Sequence, residues 1–281
     1  MPVSGAATGS RPDARPGPTA PAPRRFGRVN WLGLATLYRR EVKRYLSEWL
    51  ETLGGVAVSA LLFLAVFHLA LEAAPQPLPG VSLVAFLIPG LIMVSVAQKS
   101  FEAAAYSILF GKLEGTIADV LTPPLSAGER VAGYACAAAT SGLIAGGTVA
   151  LALAPFAPWP RIQLLPLICF AVTGALFHAL FGILSGLKAE RWDNLAAIQT
   201  FALVPLIYLS GAFFPTGDLP EAGRLAVLLN PAYYAVEGLR FAWLGRSELN
   251  PMPGAAVLTL LDLALFAAAW RLFASGYKLR A

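Results

Sequence analysis

The sequence predicts an all-α integral membrane protein of six transmembrane helices, and three observations carry that reading. First, 57% of the 281 residues are hydrophobic and 13% are charged, with a mean hydropathy of +0.65. A soluble domain needs more charge than that to cover its surface. Second, six apolar stretches are long enough to cross a bilayer core of about 30 Å, which takes about 20 helical residues. Third, nine of the 21 Lys and Arg residues precede residue 45, and others stand at Lys99, Lys112, Arg130, Lys188, Arg191, Arg271, Lys278 and Arg280. Arg161, Arg224, Arg240 and Arg246 are left for the opposite side, so the positive-inside rule places both termini in the cytoplasm.

Residues 1–29 are rich in Pro, Ala and Gly, with Arg11, Arg15, Arg24 and Arg25, and contain no apolar run that could serve as a signal peptide. They read as a disordered basic tail. Most of the net charge of +5 sits at this end, which suits an anionic membrane surface better than a nucleic acid. In NWLGLATLYRREVKRYLSEWLE, 30–51, residues Trp31, Leu34, Tyr38, Val42, Tyr45 and Trp49 recur at steps of three and four. Arg39, Arg40, Lys43, Arg44 and Glu48 take the other sides. That pattern predicts an amphipathic helix lying at the lipid headgroups.

Spans are expected at about 52–71, 82–101, 131–154, 162–187, 195–215 and 254–275. The connections EAAPQPLPGV (72–81) and PFAPWPR (155–161) are short and proline-rich, whereas KAERWDN (188–194) is charged. Between the second and third spans lies FGKLEGTIADVLTPPLSAGER, 110–130. Leu113, Ile117, Val120 and Leu121 fall at i, i+4, i+7 and i+8 while Lys112, Glu114 and Asp119 point elsewhere, which predicts a short amphipathic helix over 111–121. Pro123-Pro124 ends it, and Ser126 to Glu129 reads as a capping box that starts the third span. An apolar face presented to water between two spans needs a partner.

The region 216–253 is too interrupted to span. EAGRLAVLL (221–229) and AYYAVEGLRFAWL (232–244), split at Asn230-Pro231, predict two short helices forming a re-entrant hairpin before the last span. Glu237 and Arg240, spaced i,i+3 on the second of them, can neutralise each other at membrane depth. The pairs Gly142/Gly146 and Gly182/Gly186 permit close helix contact.

Catalytic constellations are absent from the sequence. Cys136 and Cys169 lie inside apolar runs and read as small core hydrophobes, and His68 and His178 are isolated. There is no HExxH, no GxSxG and no DDxxD-type acidic cluster. Gly111-Lys112 is no phosphate loop, because Leu113 stands where Ser or Thr is required. Asp262, inside the last span, is an intramembrane carboxylate and so a functional hypothesis by default. An ion-gradient-driven transporter coupling through Asp262, Lys99 and Glu102 is therefore the alternative reading, although no paired broken helices stand in corresponding halves. A membrane enzyme acting on polyprenyl substrates lacks its acidic cluster.

Taken in order, the YRREVKRYL helix, FLIPGLIMVSV at 86–96, FGKLEGTIADVLTPPLSAGE, LIYLSGAFFPTGDLP at 206–220 and LNPAYYAVEGLRFAWLG at 229–245 resemble the ABC-2 family of transporter permeases, from about Trp31 to Gly245. That resemblance implies a permease subunit of a bacterial ABC exporter in the inner membrane, moving a lipid, hydrophobic drug or lipid-linked glycan by alternating access. It implies a homodimer paired with separate ATP-binding subunits that hold ATP and Mg, this chain binding no cofactor and no nucleic acid. It implies a coupling helix docked on the ATPase, falling here on Gly111, Lys112, Leu113, Glu114, Ile117, Asp119, Val120 and Leu121. The connecting helix would use Trp31, Tyr38, Arg39, Arg40, Val42, Tyr45 and Trp49, and the outward gate Asn230, Pro231, Tyr234, Glu237 and Arg240. Ser95, Gln98, Gln199, Tyr208 and Ser210 are the polar candidates for the path between the first, second and fifth spans.

Overall fold

The computed structural model describes residues 27–70, 77–156, 162–217 and 219–278, so nearly all of the basic tail lies outside the described residues, as do Arg161 and Arg280. Within them every regular element is helical and no strand forms. Helix α1, Trp31–Ser47, begins where Asn30 Oδ1 accepts the Gly33 N–H at 2.9 Å. A π-helical turn at Leu50–Gly54 carries it into α2, Gly55–Ala70. Helix α3, Leu83–Leu113, is followed by a single turn, α4, Ala118–Leu121. Then come α5, Ala127–Leu153, and α6, Leu164–Lys188. A broken run follows: α7, Trp192–Ile198, a π turn at Gln199–Leu203, and α8, Val204–Tyr208. Helices α9, Glu221–Leu228, α10, Pro231–Leu244, and α11, Pro251–Ser275, complete the chain.

Five helical stretches among the described residues are long and apolar enough to cross a membrane: Leu50–Leu69, Leu83–Leu113, Ala127–Phe156, Leu164–Lys188 and Pro251–Ser275. The expected span at 195–215 is instead the broken run from Trp192 to Tyr208, about 25 Å at the usual rise. It stops there because the chain turns at Gly211, whose φ of +69° is left-handed and favours glycine.

Helix α3 is the axis of the bundle, lying between α5 and α6. Glycines set that packing. A Cβ on Gly142 would strike the Ser100 hydroxyl and the Val96 carbonyl of α3, and one on Gly182 the Phe101 carbonyl, so both small pairs serve contact within one chain. The expected end of the second span at 101 is not observed. Residues 102–113 continue the helix because Ala104, Ala105, Ile108 and Leu109 extend its buried stripe, and α3 reaches about 46 Å, well beyond a bilayer core. By contrast α2 leans on the bundle through Ala60 and Leu64, the two buried side chains among its described residues, leaving Val58, Leu62, Val66 and Leu69 exposed.

The expected helix over 111–121 also differs. Gly111, Lys112 and Leu113 are the last turn of α3, Gly115 reverses the chain at φ +73°, and helix resumes at Ala118. This elbow folds back so that Ile117 and Val120 enter the core. Of the apolar face expected to meet a partner, Ile117 and Val120 are therefore spent on the protein's own packing, while Leu113 stays exposed and Leu121 half-buried.

Candidate functional site

Between α2, α3 and the broken run lies a lateral cleft made of two adjoining cavities. One, of about 360 Å³, is lined by Arg44, Tyr45, Glu48, Glu51, Lys99, Glu102, Tyr106 and Trp192. The other, of about 400 Å³, is lined by Phe63, Leu91, Val94, Ser95, Gln98, Tyr208 and Phe213, and it shares Glu51 and Lys99 with the first. The cleft thus passes from a charged, aromatic mouth to an apolar depth, and both volumes are of the size that holds small ligands.

The mouth is held by a polar chain on α3. Lys99 Nζ pairs with Glu102 Oε2 at 2.7 Å, Gln199 Nε2 donates to Glu102 Oε1 at 3.3 Å, and Tyr106 Oη donates to Gln199 Oε1 at 2.9 Å. Trp192 stands edge-on to Tyr106, with centroids 5.8 Å apart. On α1, Glu41 is buried between Arg40 at 2.8 Å and Arg44 at 2.7 Å, and accepts from Ser107 Oγ of α3 at 2.6 Å. Next to it Tyr45 is buried; burial, and then the charge of Glu102, push its hydroxyl up to about 12, so it stays protonated.

Of the path candidates, Ser95, Gln98 and Tyr208 line the cleft and Gln199 joins it through Tyr106 and Glu102. Ser210 does not. It is buried in the turn after α8, where its hydroxyl donates to the Ile207 carbonyl at 2.6 Å, because a chain turning off a helix must satisfy that carbonyl locally.

The inward stripe of α1 is Leu37, Glu41 and Tyr45, so the expected stripe is rotated. Trp31 and Trp49 point outward, 72% and 60% exposed, and Arg39 is exposed as well. Val42 is half-buried, and Tyr38 Oη lies 3.0 Å from Thr140 Oγ1. Glu41 escaped the sequence reading; an acid at i, i+4 between Leu37 and Tyr45, with arginines at i−1 and i+3, is the signal that marks it.

The elbow at 111–130 is tied to three helices. Lys112 Nζ donates to the carbonyls of Gly186 at 3.2 Å, Leu187 at 2.9 Å and Ala189, which lie at and just beyond the C-terminal end of α6. Arg130 of α5 donates to the Val120 and Leu121 carbonyls at 3.2 and 2.9 Å. The capping box forms, Glu129 accepting the Ser126 N–H at 2.6 Å, and its other oxygen accepts the Asn30 N–H at 2.5 Å. One carboxylate therefore fixes the starts of α1 and α5 together. Leu113, Glu114 and Asp119 are exposed on the elbow's outer side, and Leu121 is half-buried.

At the other end of the bundle, α10 begins at Pro231 with Asn230 as its cap, Asn230 Oδ1 accepting the Ala232 N–H at 2.9 Å while Nδ2 donates to the Leu206 carbonyl at 2.7 Å. Tyr234 Oη donates to the Leu228 carbonyl at 2.7 Å and closes the α9–α10 corner. Glu237 and Arg240 form a buried ion pair. Arg240 also donates to the Gly211 carbonyl at 2.8 Å and lies 3.8 Å over the Phe86 ring. Glu237 accepts the Glu248 N–H at 2.7 Å, and Glu248 accepts the Thr216 N–H at 2.9 and 3.0 Å. The turn at 209–217 is thereby clamped.

Asp262 is buried in α11 and forms no ion pair among the described residues. His178 is buried, with Nδ1 2.7 Å from the Gly174 carbonyl. Cys136, expected in the core, is exposed on α5, because the small neighbours Gly133, Ala137 and Gly142 rather than the thiol take the packed face. No three His, Cys, Asp or Glu side chains converge among the described residues as a metal site would require.

Comparison with known proteins places these features in a family context. The profile of the ABC-2 type transporter matches residues 33–244. Inner membrane transport permease YadH of Escherichia coli is 28% identical over 250 residues, covering 89% of this chain and 98% of that protein. Nodulation protein J of Rhizobium leguminosarum bv. trifolii is 30% identical over 230 residues, covering 80% of this chain and 85% of its own. Its counterpart from Sinorhizobium fredii is 29% identical over 242 residues, 85% and 88% of the two chains.

Proposed function

Because this chain belongs to the ABC-2 type transporter family and is a multi-pass membrane transport permease, we propose that it is the transmembrane subunit of an ATP-driven exporter that moves a hydrophobic or amphipathic substrate out of the cytoplasm or inner leaflet. The observation that carries this reading is the lateral cleft, charged and aromatic at its mouth and apolar in its depth, a gradient suited to an amphiphile. A homodimer works with two ATP-binding subunits, which hold ATP and Mg; the permease itself hydrolyses nothing. Like the Escherichia coli relative by its name, the chain resides in the inner membrane. Both termini are cytoplasmic, the broken run Trp192–Tyr208 with its following turn counts as the fifth of six spans, and 216–244 is a re-entrant gate on the outer side.

The elbow is the coupling device. Its docking surface is Leu113, Glu114 and Asp119 rather than the buried Ile117 and Val120. ATP favours the closed ATPase pair, and its differential affinity for that state biases the equilibrium. Movement of the elbow passes into α3, α5, α6 and α1 together, since Lys112, Arg130 and Glu129 bind it to all of them. Rigid-body tilting of that unit against α2 and the broken run would alternately open and shut the cleft.

Leu113→Asp combined with Asp119→Arg should abolish co-purification with a co-expressed ATP-binding subunit and lower ATP-driven export at least tenfold, without loss of the folded permease. Normal export by that variant sinks the coupling assignment. Transport by this chain alone in proteoliposomes, abolished by a proton ionophore and indifferent to ATP, overturns the exporter reading in favour of the ion-coupled one.

A further inference from the structure

We propose that the mouth of the cleft is a binding subsite for the ammonium head of a cationic amphiphile, whose apolar tail occupies the adjoining cavity. The proposal deepens the permease reading, on which it rests, by naming the chemistry of the cargo. Of the charged side chains at the mouth, Arg44 is neutralised by Glu41 at 2.7 Å and Lys99 by Glu102 at 2.7 Å. That leaves Glu48 and Glu51, two carboxylates that form no ion pair among the described residues. Both line the cavity near the start of α2, and together the two carboxylates repel an anionic head while attracting a cation.

A second observation is independent of those carboxylates. Tyr45 lines the same cavity with only 8% of its surface exposed, and its buried phenolic oxygen makes no hydrogen bond. The neighbouring Thr52 hydroxyl donates to the Glu48 carbonyl at 2.8 Å. A buried hydroxyl left without a partner is costly, and an ammonium N–H donating to Tyr45 Oη would satisfy its acceptor lone pair. The rings complete the case. Tyr45, Tyr106 and Trp192 present aromatic surface to one cavity, and aromatic faces beside carboxylates are the chemistry that recognises organic cations. Beyond Glu51 the wall turns apolar, with Phe63, Val94 and Phe213, so the site takes a head and a tail rather than a bare ion.

The test is equilibrium binding to the purified full-length chain in nanodiscs of neutral lipid, with empty nanodiscs subtracted. The probe is a fluorescent dodecylammonium; matched dodecyl phosphate and dodecyl glucoside serve as comparisons. We expect saturable binding of the ammonium at least tenfold tighter than either comparison. Affinity should fall at least tenfold in Glu48→Gln/Glu51→Gln with thermal unfolding unchanged, and severalfold in Tyr45→Phe, whose unfolding temperature should not fall because the variant removes a partnerless buried hydroxyl. Equal affinity for the three probes, tightest binding of the glucoside or phosphate, or an unchanged affinity in the double variant overturns the proposal. Neither ATP nor a partner subunit enters this measurement. Its failure removes the cargo assignment alone, whereas loss of ATPase coupling with ammonium binding intact would remove the exporter reading alone.

Discussion

Two charged regions of this membrane protein are treated in opposite ways. Around α10, Glu237, Arg240 and Glu248 are knitted to each other and to the 209–217 turn, and among the described residues there Arg240 Nε is the one buried side-chain atom without a partner. At the mouth of the cleft, Glu48 and Glu51 line a cavity and form no ion pair among the described residues, and the buried hydroxyl of Tyr45, which lines it too, has no hydrogen-bond partner among them. Charge that is buried and saturated fixes architecture, because removing one member strands another in a low-dielectric interior. Charge that lines a cavity and is left unspent contributes little to stability and is free to meet a ligand. The contrast separates residues that build the permease from those that would serve its cargo.

The sharpest way to break that comparison is Arg240→Ala. It leaves Glu237 buried without its cation and should destabilise the protein by about 3–5 kcal/mol, seen as loss of folded permease and a lower unfolding temperature. An Arg240→Ala protein as stable as the wild type would mean that the α10 network is no clamp. Next in size is Glu129→Ala, which removes acceptors from the starts of both α1 and α5. A cost of about 1–2 kcal/mol is expected, with faster hydrogen exchange at Asn30 and Ser126. Glu48→Gln/Glu51→Gln should shift stability by less than about 0.5 kcal/mol, and a larger loss in thermal unfolding would move these carboxylates into the structural class.

The smallest effect belongs to a pair that is charged, paired and exposed at once. Glu190 and Lys278 lie 2.5 Å apart at the end of α6. The Lys278 hydrogen bond holds the Glu190 carboxyl below its ordinary value, and the same bond raises the Lys278 ammonium. Glu190 therefore contributes above its unfolded value and loses that contribution as pH falls through the lowered one. For Lys278 the contribution is present below its unfolded value and is lost as pH rises through the raised one. Protection of the 276–278 amides, measured against their intrinsic exchange rates at each pH, should be greatest between those limits and should lose that pH dependence in Glu190→Gln. Protection that does not vary with pH in the wild type would show that the bridge tethers nothing.

Much of the fold was legible from local pattern. Five of the expected spans appear as long apolar helices, the 221–244 region divides at Asn230-Pro231, and Ser126 to Glu129 forms its box. Errors arose where a pattern had two readings. Leu113, Ile117, Val120 and Leu121 fit one helical face equally well whether that face meets a partner or the protein's own core, and only the reversal at Gly115 turns Ile117 and Val120 inward. The aromatic stripe of α1 competed with a neighbouring stripe through Glu41, and the latter won because Arg40, Arg44 and Ser107 satisfy that buried acid. For the cleft, Ser95, Gln98 and Tyr208 were visible as polar residues on apolar spans, whereas Ser210 differs from them in nothing but its turn.

What the sequence determined alone is what depends on neighbours along the chain: the membrane class from composition, the start of α5 from the Ser126 to Glu129 box, the break at Asn230-Pro231, and the family from the order of its motifs. Tertiary structure decided which charges are spent. Asn30 meets Glu129, Glu41 meets Ser107 and Thr216 meets Glu248 across 99, 66 and 32 residues. No periodicity encodes such pairs, because they form only once the packing of α3 between α5 and α6 has brought distant segments together, and the same packing leaves Glu48 and Glu51 without an ion pair among the described residues.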